Sequence, residues 1–234
     1  MTYRELINSV LRRLREDTIT ADWVGDLYDT STVTDYQKLV GVLINDSMQS
    51  VGQYHNWNTL RESFSLTTTP GSMGYILGDT VRGAGNSFQI LDVINQDTGT
   101  VLTQAPSSWL NKVSFPSEEA ENGEPTFYGL NGTTQVSIYR SPDFNIDLYP
   151  IPTKSEVISV NIVKQQEEMR LATESIKVPS LPVILGAWAR AIAERGEDGG
   201  TISSAVAAEA REALVLSVQL DASNMEYERD WQVT

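Results

Sequence analysis

Apolar residues recur along this chain first at helical spacing, then at alternating spacing, and then at helical spacing again. Tyr3, Leu6, Ile7, Val10, Leu11 and Leu14 share one stripe, the i, i+3, i+4, i+7 pattern that predicts an amphipathic helix over about Tyr3–Arg15. Thr2 and Glu5 stand at capping-box spacing, and Arg12, Arg13 and Arg15 complement the negative helix end. Asp17–Ser31 reads as acidic and irregular, pinned by Trp23, Leu27 and Tyr28. A second helix is predicted over about Thr34–Tyr54, again with capping-box spacing at Thr34 and Gln37. Its stripe is Tyr36, Val40, Leu43, Ser47, Val51 and Tyr54, widened by Leu39, Ile44 and Met48. A face that wide predicts contact with more than one neighbour.

After Asn56-Trp57-Asn58 the period becomes two. Leu60, Glu62, Phe64 and Leu66 begin a strand that ends before a turn at Pro70-Gly71, and Tyr75-Ile76-Leu77 follows. Phe88–Ile94 is joined through Asp97-Thr98-Gly99 to Thr100-Val101-Leu102 as an expected hairpin. Ser107–Phe115 reads as a short helix with Trp109 and Val113 inward, and Ser117–Glu124 as an acidic loop. Asn131-Gly132 lies between two apolar or aromatic runs and predicts a second hairpin, because both residues tolerate φ > 0. Val136 and Ile138 would follow on one strand face. Phe144, Ile146 and Leu148 then alternate with Asn145, Asp147 and Tyr149 until Pro150 and Pro152 stop the strand, and Ile158, Val160 and Ile162 line the last one. Local hairpins of this kind favour antiparallel pairing and no βαβ sheet.

Gln165–Ser175 reads as a polar connector. Pro179, Leu181 and Pro182 open a third long helix with the stripe Leu181, Ile184, Leu185, Trp188, Ala191 and Ile192. Arg195–Gly200 ends it, and an Ala-rich helix from Thr201 to about Ala222 completes an αα-hairpin. The expected fold is α+β: a discontinuous helical bundle (residues 1–59 and 164–234) around a central antiparallel β-sandwich or barrel-like domain (60–163), with a C-terminal tail (222–234).

Composition adds three limits. The chain of 234 residues carries a formal charge of −14, which argues against a general binder of nucleic acid or anionic membrane. A solvated acidic surface accounts for this charge, and so do acidic walls that let passing DNA slide. No cysteine is present, so no disulfide framework or thiolate metal site is available. No apolar run approaches the ~18 residues of a membrane span.

Candidate chemistry is sparse. His55 is the single histidine and reads as a helix-end residue beside Trp57. No Gly-x-Ser-x-Gly elbow and no Gly-Lys-Ser/Thr occurs, and Gly83-Ala84-Gly85 is only half of a dinucleotide fingerprint. Asp143 and Asp147, or Glu118 and Glu119, are the carboxylates a glycosidase-like hydrolase would draw on. Asn131-Gly132-Thr133 matches a glycosylation acceptor that its turn role already explains. No cofactor and no enzymatic activity are expected.

Several stretches in a fixed order carry a family resemblance: Asn56-Trp57 followed by Arg61–Leu66, Gly123-Glu124-Pro125 with Tyr128, Ile146–Pro152, Ile158–Val163, and Val178-Pro179-Ser180-Leu181-Pro182 opening the third helix. In this order the chain resembles the head-to-tail adaptors of short-tailed bacteriophages, also called tail tubular protein A or head-completion adaptors. The resemblance implies a structural virion protein made in the host bacterial cytoplasm. Twelve copies would form a ring joining the portal protein to the tail nozzle protein and lining the channel through which DNA passes, without sequence-specific contacts and without a membrane. It also implies a portal-binding C-terminal segment, here Met225, Tyr227 and Trp231, whose apolar area suits an anchor as well as it suits packing on the subunit's own bundle. Arg12 and Arg13 are further candidates for an acidic partner. A carbohydrate- or receptor-binding tail module is the alternative that the central sheet and its aromatics raise.

Overall fold

The structure, a computed structural model, describes residues 1–77, 88–114, 121–134, 143–196 and 200–224. It divides into two compact units, Met1–Leu60 with Gln165–Thr234, and Arg61–Lys164. The whole is a mixed α+β fold, as the periodicities predict.

In the first unit, α1 (Tyr3–Arg13) begins with the expected capping box. The Thr2 N–H donates to Glu5 Oε2 at 2.9 Å, and the Glu5 N–H donates to Thr2 Oγ1 at 3.3 Å. The first of these bonds holds the Glu5 carboxyl below its usual pKa. All six stripe residues are buried. Helix α2 (Asp35–Tyr54) has the second capping box, between Thr34 and Gln37. Its buried side differs from the predicted stripe: Val40, Gly41, Ile44, Asn45, Ser47, Met48 and Val51 are inside, while Tyr54 is 60% exposed. The reason is close approach. A Cβ on Gly41 would stand 2.5 Å from Leu27 Cδ2 and 2.7 Å from the Tyr3 hydroxyl, so this helix buries small side chains where its neighbours press nearest.

Gln165–Ser175 is more than a connector. Its backbone is a strap bonded into the helical unit: Tyr3 N–H donates to Glu174 O (2.7 Å), Arg4 N–H to Ala172 O (3.2 Å), and Leu27 N–H to Arg170 O (3.1 Å). Trp23 Nε1 also donates to Arg170 O at 3.0 Å. Asn45 reads both polar groups of Met169, donating to its carbonyl (3.0 Å) and accepting from its N–H (3.1 Å), and it donates to the Tyr3 hydroxyl as well. Burial, with Tyr28 adding to it, pushes the Tyr3 phenol far up, so it stays neutral. Met169 and Ala172 are core residues.

Helix α4 (Ser180–Arg195) packs against α1, α2 and α5 (Thr201–Asn224). With neighbours on three sides it buries more than one stripe. Val183 and Ala187 are fully inside although the expected stripe omits them, and Leu181, which that stripe includes, is 52% exposed. Arg190 lies along α2, donating to Ser47 Oγ and Ser50 Oγ.

In the second unit, β1 (Arg61–Thr67), β9 (Val157–Lys164) and β3 (Phe88–Asn95) form one antiparallel sheet in the order β1-β9-β3. A second sheet has the order β2 (Gly74–Leu77), β7 (Asp143–Tyr149), β6 (Phe127–Thr134), β4 (Thr103–Gln104), and β5 (Asn122–Gly123) pairs with β8 (Ile151–Pro152). Phe64, Leu66, Val93, Ile158, Val160 and Ile162 from the first sheet share one core with Leu77, Tyr128, Ile146 and Leu148 from the second. Among the described residues there is no closed barrel.

Three expectations are corrected here. First, β1 pairs with β9 from the far end of the unit, and the β4–β6 and β5–β8 pairs are parallel; pairing is less local than the turn signals imply. Second, Asn131-Gly132 is no turn. Strand β6 runs through it with a register shift between Leu130 and Thr133, and Gly132 takes φ +76°. A bulge uses the same φ > 0 tolerance as a hairpin turn, so the dipeptide alone does not separate them. Strands β6 and β7 are antiparallel partners, and residues 135–142 between them, with the predicted Val136–Ile138 face, lie outside the described residues. Third, α3 (Ser107–Ser114) buries Leu110 most deeply; Val113 packs beside it as expected, while Trp109 stays 38% exposed with its ring edge-on to Phe127 and Tyr149. Leu110 and Ala105 pack with Tyr149, which lies on the second face of β7. That strand is therefore buried on both faces where a half-buried one is predicted. The Asp97–Gly99 turn does close locally, with Asn95 N–H donating to Thr100 O at 2.9 Å and Leu102 N–H to Val93 O at 2.8 Å.

Candidate interaction surface

Two features of the helical unit stand out as surface without an internal partner among the described residues. One is the C-terminal end of α1. Arg12, Arg13 and Arg15 are all exposed there. Arg13 Nη1 donates to the Ser9 carbonyl at 2.8 Å, whereas Arg12 and Arg15 have no side-chain partner among the described residues. Three other arginines of the unit are committed: Arg4 to Asp22 at 2.8 Å, Arg170 to Asp26 at 3.0 Å, and Arg195 to Glu16 and the Tyr36 hydroxyl, while Arg211 on α5 is exposed with no side-chain partner among the described residues. The Asp26 contact raises the Arg170 pKa further.

Backbone geometry at this end is unusual. Arg15 N–H bonds to Arg12 O (3.2 Å) and Glu16 N–H to Leu11 O (3.0 Å), the double closure of a Schellman motif. Arg15 occupies its left-handed position at φ 58°, where glycine is the comfortable residue.

The other feature is the outer face of α5. Its inner side, through Val206, Ala207, Ala210 and Ala213, packs on Leu185, Trp188, Ala189 and Ile192 of α4. On the outside, Ile202, Ala205, Glu209, Glu212, Leu216 and Leu220 are all exposed and fall at i, +3, +7, +10, +14 and +18, one face of the helix. Ile202 is 55%, Leu216 54% and Leu220 68% exposed. Near the end of α5, Asp221 is held inward: it accepts from the Asn58 N–H at 3.2 Å. His55 Nε2 lies 3.2 Å from Asp221 Oδ2 without hydrogen-bond alignment. The His55 ring meets Trp57 edge-on at 5.0 Å, a helix-end packing role.

An open cleft of about 450 Å³ lies beside the α1 end, lined by Leu11, Glu16, Asp17, Thr34, Tyr36, Gln37 and Arg195. The Arg195 guanidinium sits 4.8 Å from the centre of the Tyr36 ring. Its cation is already neutralised by Glu16, so the cleft offers no free cation for an anionic ligand.

Among the described residues, the candidate carboxylates Asp143 and Asp147 do not form a paired site. Asp143 and Asp147 are both buried in β7, four residues apart, which sets their Cα atoms roughly 13 Å apart along a strand. That is beyond the ~5–10 Å carboxyl separation of glycoside hydrolysis. Burial raises the Asp147 pKa, opposed by the Asn131 Nδ2 bond at 3.0 Å; this contact ties the β6 bulge to β7. Glu118, Glu119 and Gly83-Ala84-Gly85 lie outside the described residues. Trp109 stands edge-on to Phe127 and Tyr149, with ring centres 5.2 and 5.7 Å apart, so it is locked into the sheet's packing and presents no free stacking platform. Among the described residues no helix is long and apolar enough to cross a membrane.

Of the residues singled out in sequence, Arg12 and Arg13 are described and exposed; Met225, Tyr227 and Trp231 lie outside the described residues. Arg15 and the acidic-apolar face of α5 are not among the predicted sites. A helical projection of Thr201–Asn224 contains that face, but the alanines on both sides of the helix blur its amphipathicity.

The model of the SU10 adaptor protein family matches residues 1–230. The chain belongs to the SU10 adaptor protein family. This bears out the expected kinship with phage head-to-tail adaptors. Among curated proteins, none matches the chain. As a phage adaptor it is a structural component of the virion that associates with other virion components. The match includes α1 and all of α5, so both exposed features lie within the family match.

Proposed function

We propose that this adaptor forms a ring of twelve copies between the portal and the tail nozzle, lines the DNA channel there, and carries out no catalysis. The supporting observation is the family match over residues 1–230. The physical chemistry is in keeping with that role. A formal charge of −14 disfavours tight phosphate contacts, and the two uncommitted surfaces of the helical unit suit a subunit that completes its packing only on assembly. Met225, Tyr227 and Trp231 are proposed to anchor the portal, and DNA passes without sequence readout.

Mixing the purified protein with portal rings and measuring the assembled mass tests this reading. A defined complex with twelve adaptor copies is the expected result. Absence of any stoichiometric complex on the portal would overturn it.

A further inference from the structure

From the helical unit we infer that neighbouring subunits meet heterologously, the exposed face of α5 on one copy packing against the α1 end of the next, with Glu209 and Glu212 facing Arg12 and Arg15. This inference rests on the ring reading above and specifies its subunit contact. A ring requires two different patches on each subunit, and these two are complementary in charge. In a chain with 31 acidic and 17 basic residues, two exposed arginines three positions apart with no acidic partner among the described residues stand out. On α5, two glutamates one turn apart likewise have no ion pair among the described residues, and Ile202, Leu216 and Leu220 flank them with exposed apolar area.

The left-handed backbone at Arg15 is a second, independent observation. Helices that close with this motif favour glycine at that position, since a Cβ there is strained. Arginine therefore lowers the stability of the isolated subunit, and its side chain makes no described contact in return. A side chain kept at a cost inside the subunit is accounted for by a contact outside it.

The test is a charge exchange in the full-length protein, read by the mass of the complex on portal rings, with far-UV circular dichroism confirming the fold. Wild type forming the ring is the reference; if it forms none, the proposed function fails before the contact is tested. Given a wild-type ring, Glu209→Arg with Glu212→Arg should lose the ring, as should Arg12→Glu with Arg15→Glu. The four substitutions together should restore it. Arg15→Gly should raise the melting temperature of the free subunit while weakening assembly. If either reversal assembles like wild type, or if the combined variant fails to recover, this contact is overturned. Loss on the arginine side alone would place those arginines against the portal and refute the pairing with α5. Should a reversed variant misfold, Glu209→Gln with Glu212→Gln carries the same expectation in weaker form: unchanged assembly refutes the contact.

Discussion

Helices α4 and α5 are the two halves of one hairpin, yet they are committed to opposite environments. Shorter α4 is enclosed by α1, α2 and α5 and buries side chains on most of its circumference. Longer α5 buries Ser203, Val206 and Ala213 and turns a continuous apolar and acidic face outward. Similar alanine content conceals the contrast. What separates the halves is the number of neighbours, and so α4 holds the subunit together while α5 presents it.

Substitutions on the two helices sharpen this division. The largest effect is expected at Leu185, which packs in the α4–α5 core: Leu185→Ala should cost about 2–5 kcal/mol in urea unfolding. A loss below the level of a surface substitution would show that α4 is not the stabilising half. Next comes Asn45, whose side chain bonds both polar groups of Met169 and the Tyr3 hydroxyl. Asn45→Ala leaves buried partners unsatisfied and should cost roughly 1–3 kcal/mol, with faster amide exchange at Met169 as its local sign.

A buried charge in the β unit gives a smaller effect with a definite pH dependence. Asp147 has a folded pKa raised above 3.8 by burial, so the folded state holds the proton more tightly than the unfolded one. Its contribution to stability therefore falls as pH rises from the unfolded value through the raised folded value. Asp147→Asn keeps an acceptor for Asn131 and removes the charge, so the stability difference in its favour should grow with pH across that window. A variant that loses ground as pH rises would contradict the burial. The smallest effect on folding is expected at Leu220: Leu220→Ala should shift stability by no more than about 0.5 kcal/mol. A large loss there would mean that α5 is not a free face.

The helix starts were legible because each capping box is a local pair of side chains, Thr2 with Glu5 and Thr34 with Gln37, and nothing distant decides it. The β unit was legible in its periods and less so in its pairings. Asn131-Gly132 satisfies a bulge as well as a turn, and the partner that marks it as a bulge, Asp147, which accepts from Asn131, lies across the sheet. The Gln165–Ser175 strap was hidden for a different reason. It is bound mostly through its backbone, so its polar side chains give no sign that Tyr3, Trp23, Leu27 and Asn45 attach to it. Arg12 and Arg13 were visible as charge, whereas the significance of Arg15 needed a backbone angle.

That strap also sets an order of events during synthesis. Helices α1 and α2 are made first, but the carbonyls that receive Tyr3, Arg4, Trp23 and Leu27 belong to residues beyond the whole of Arg61–Lys164. At ~5–20 residues per second, the interval is roughly 5–20 s. For that time the amino-terminal helices must wait with their apolar stripes unfinished, while the intervening β unit draws all its strands from its own segment and can close as soon as β9 is made. A segment translated after the whole β unit is thus the one that completes the packing of the first two helices.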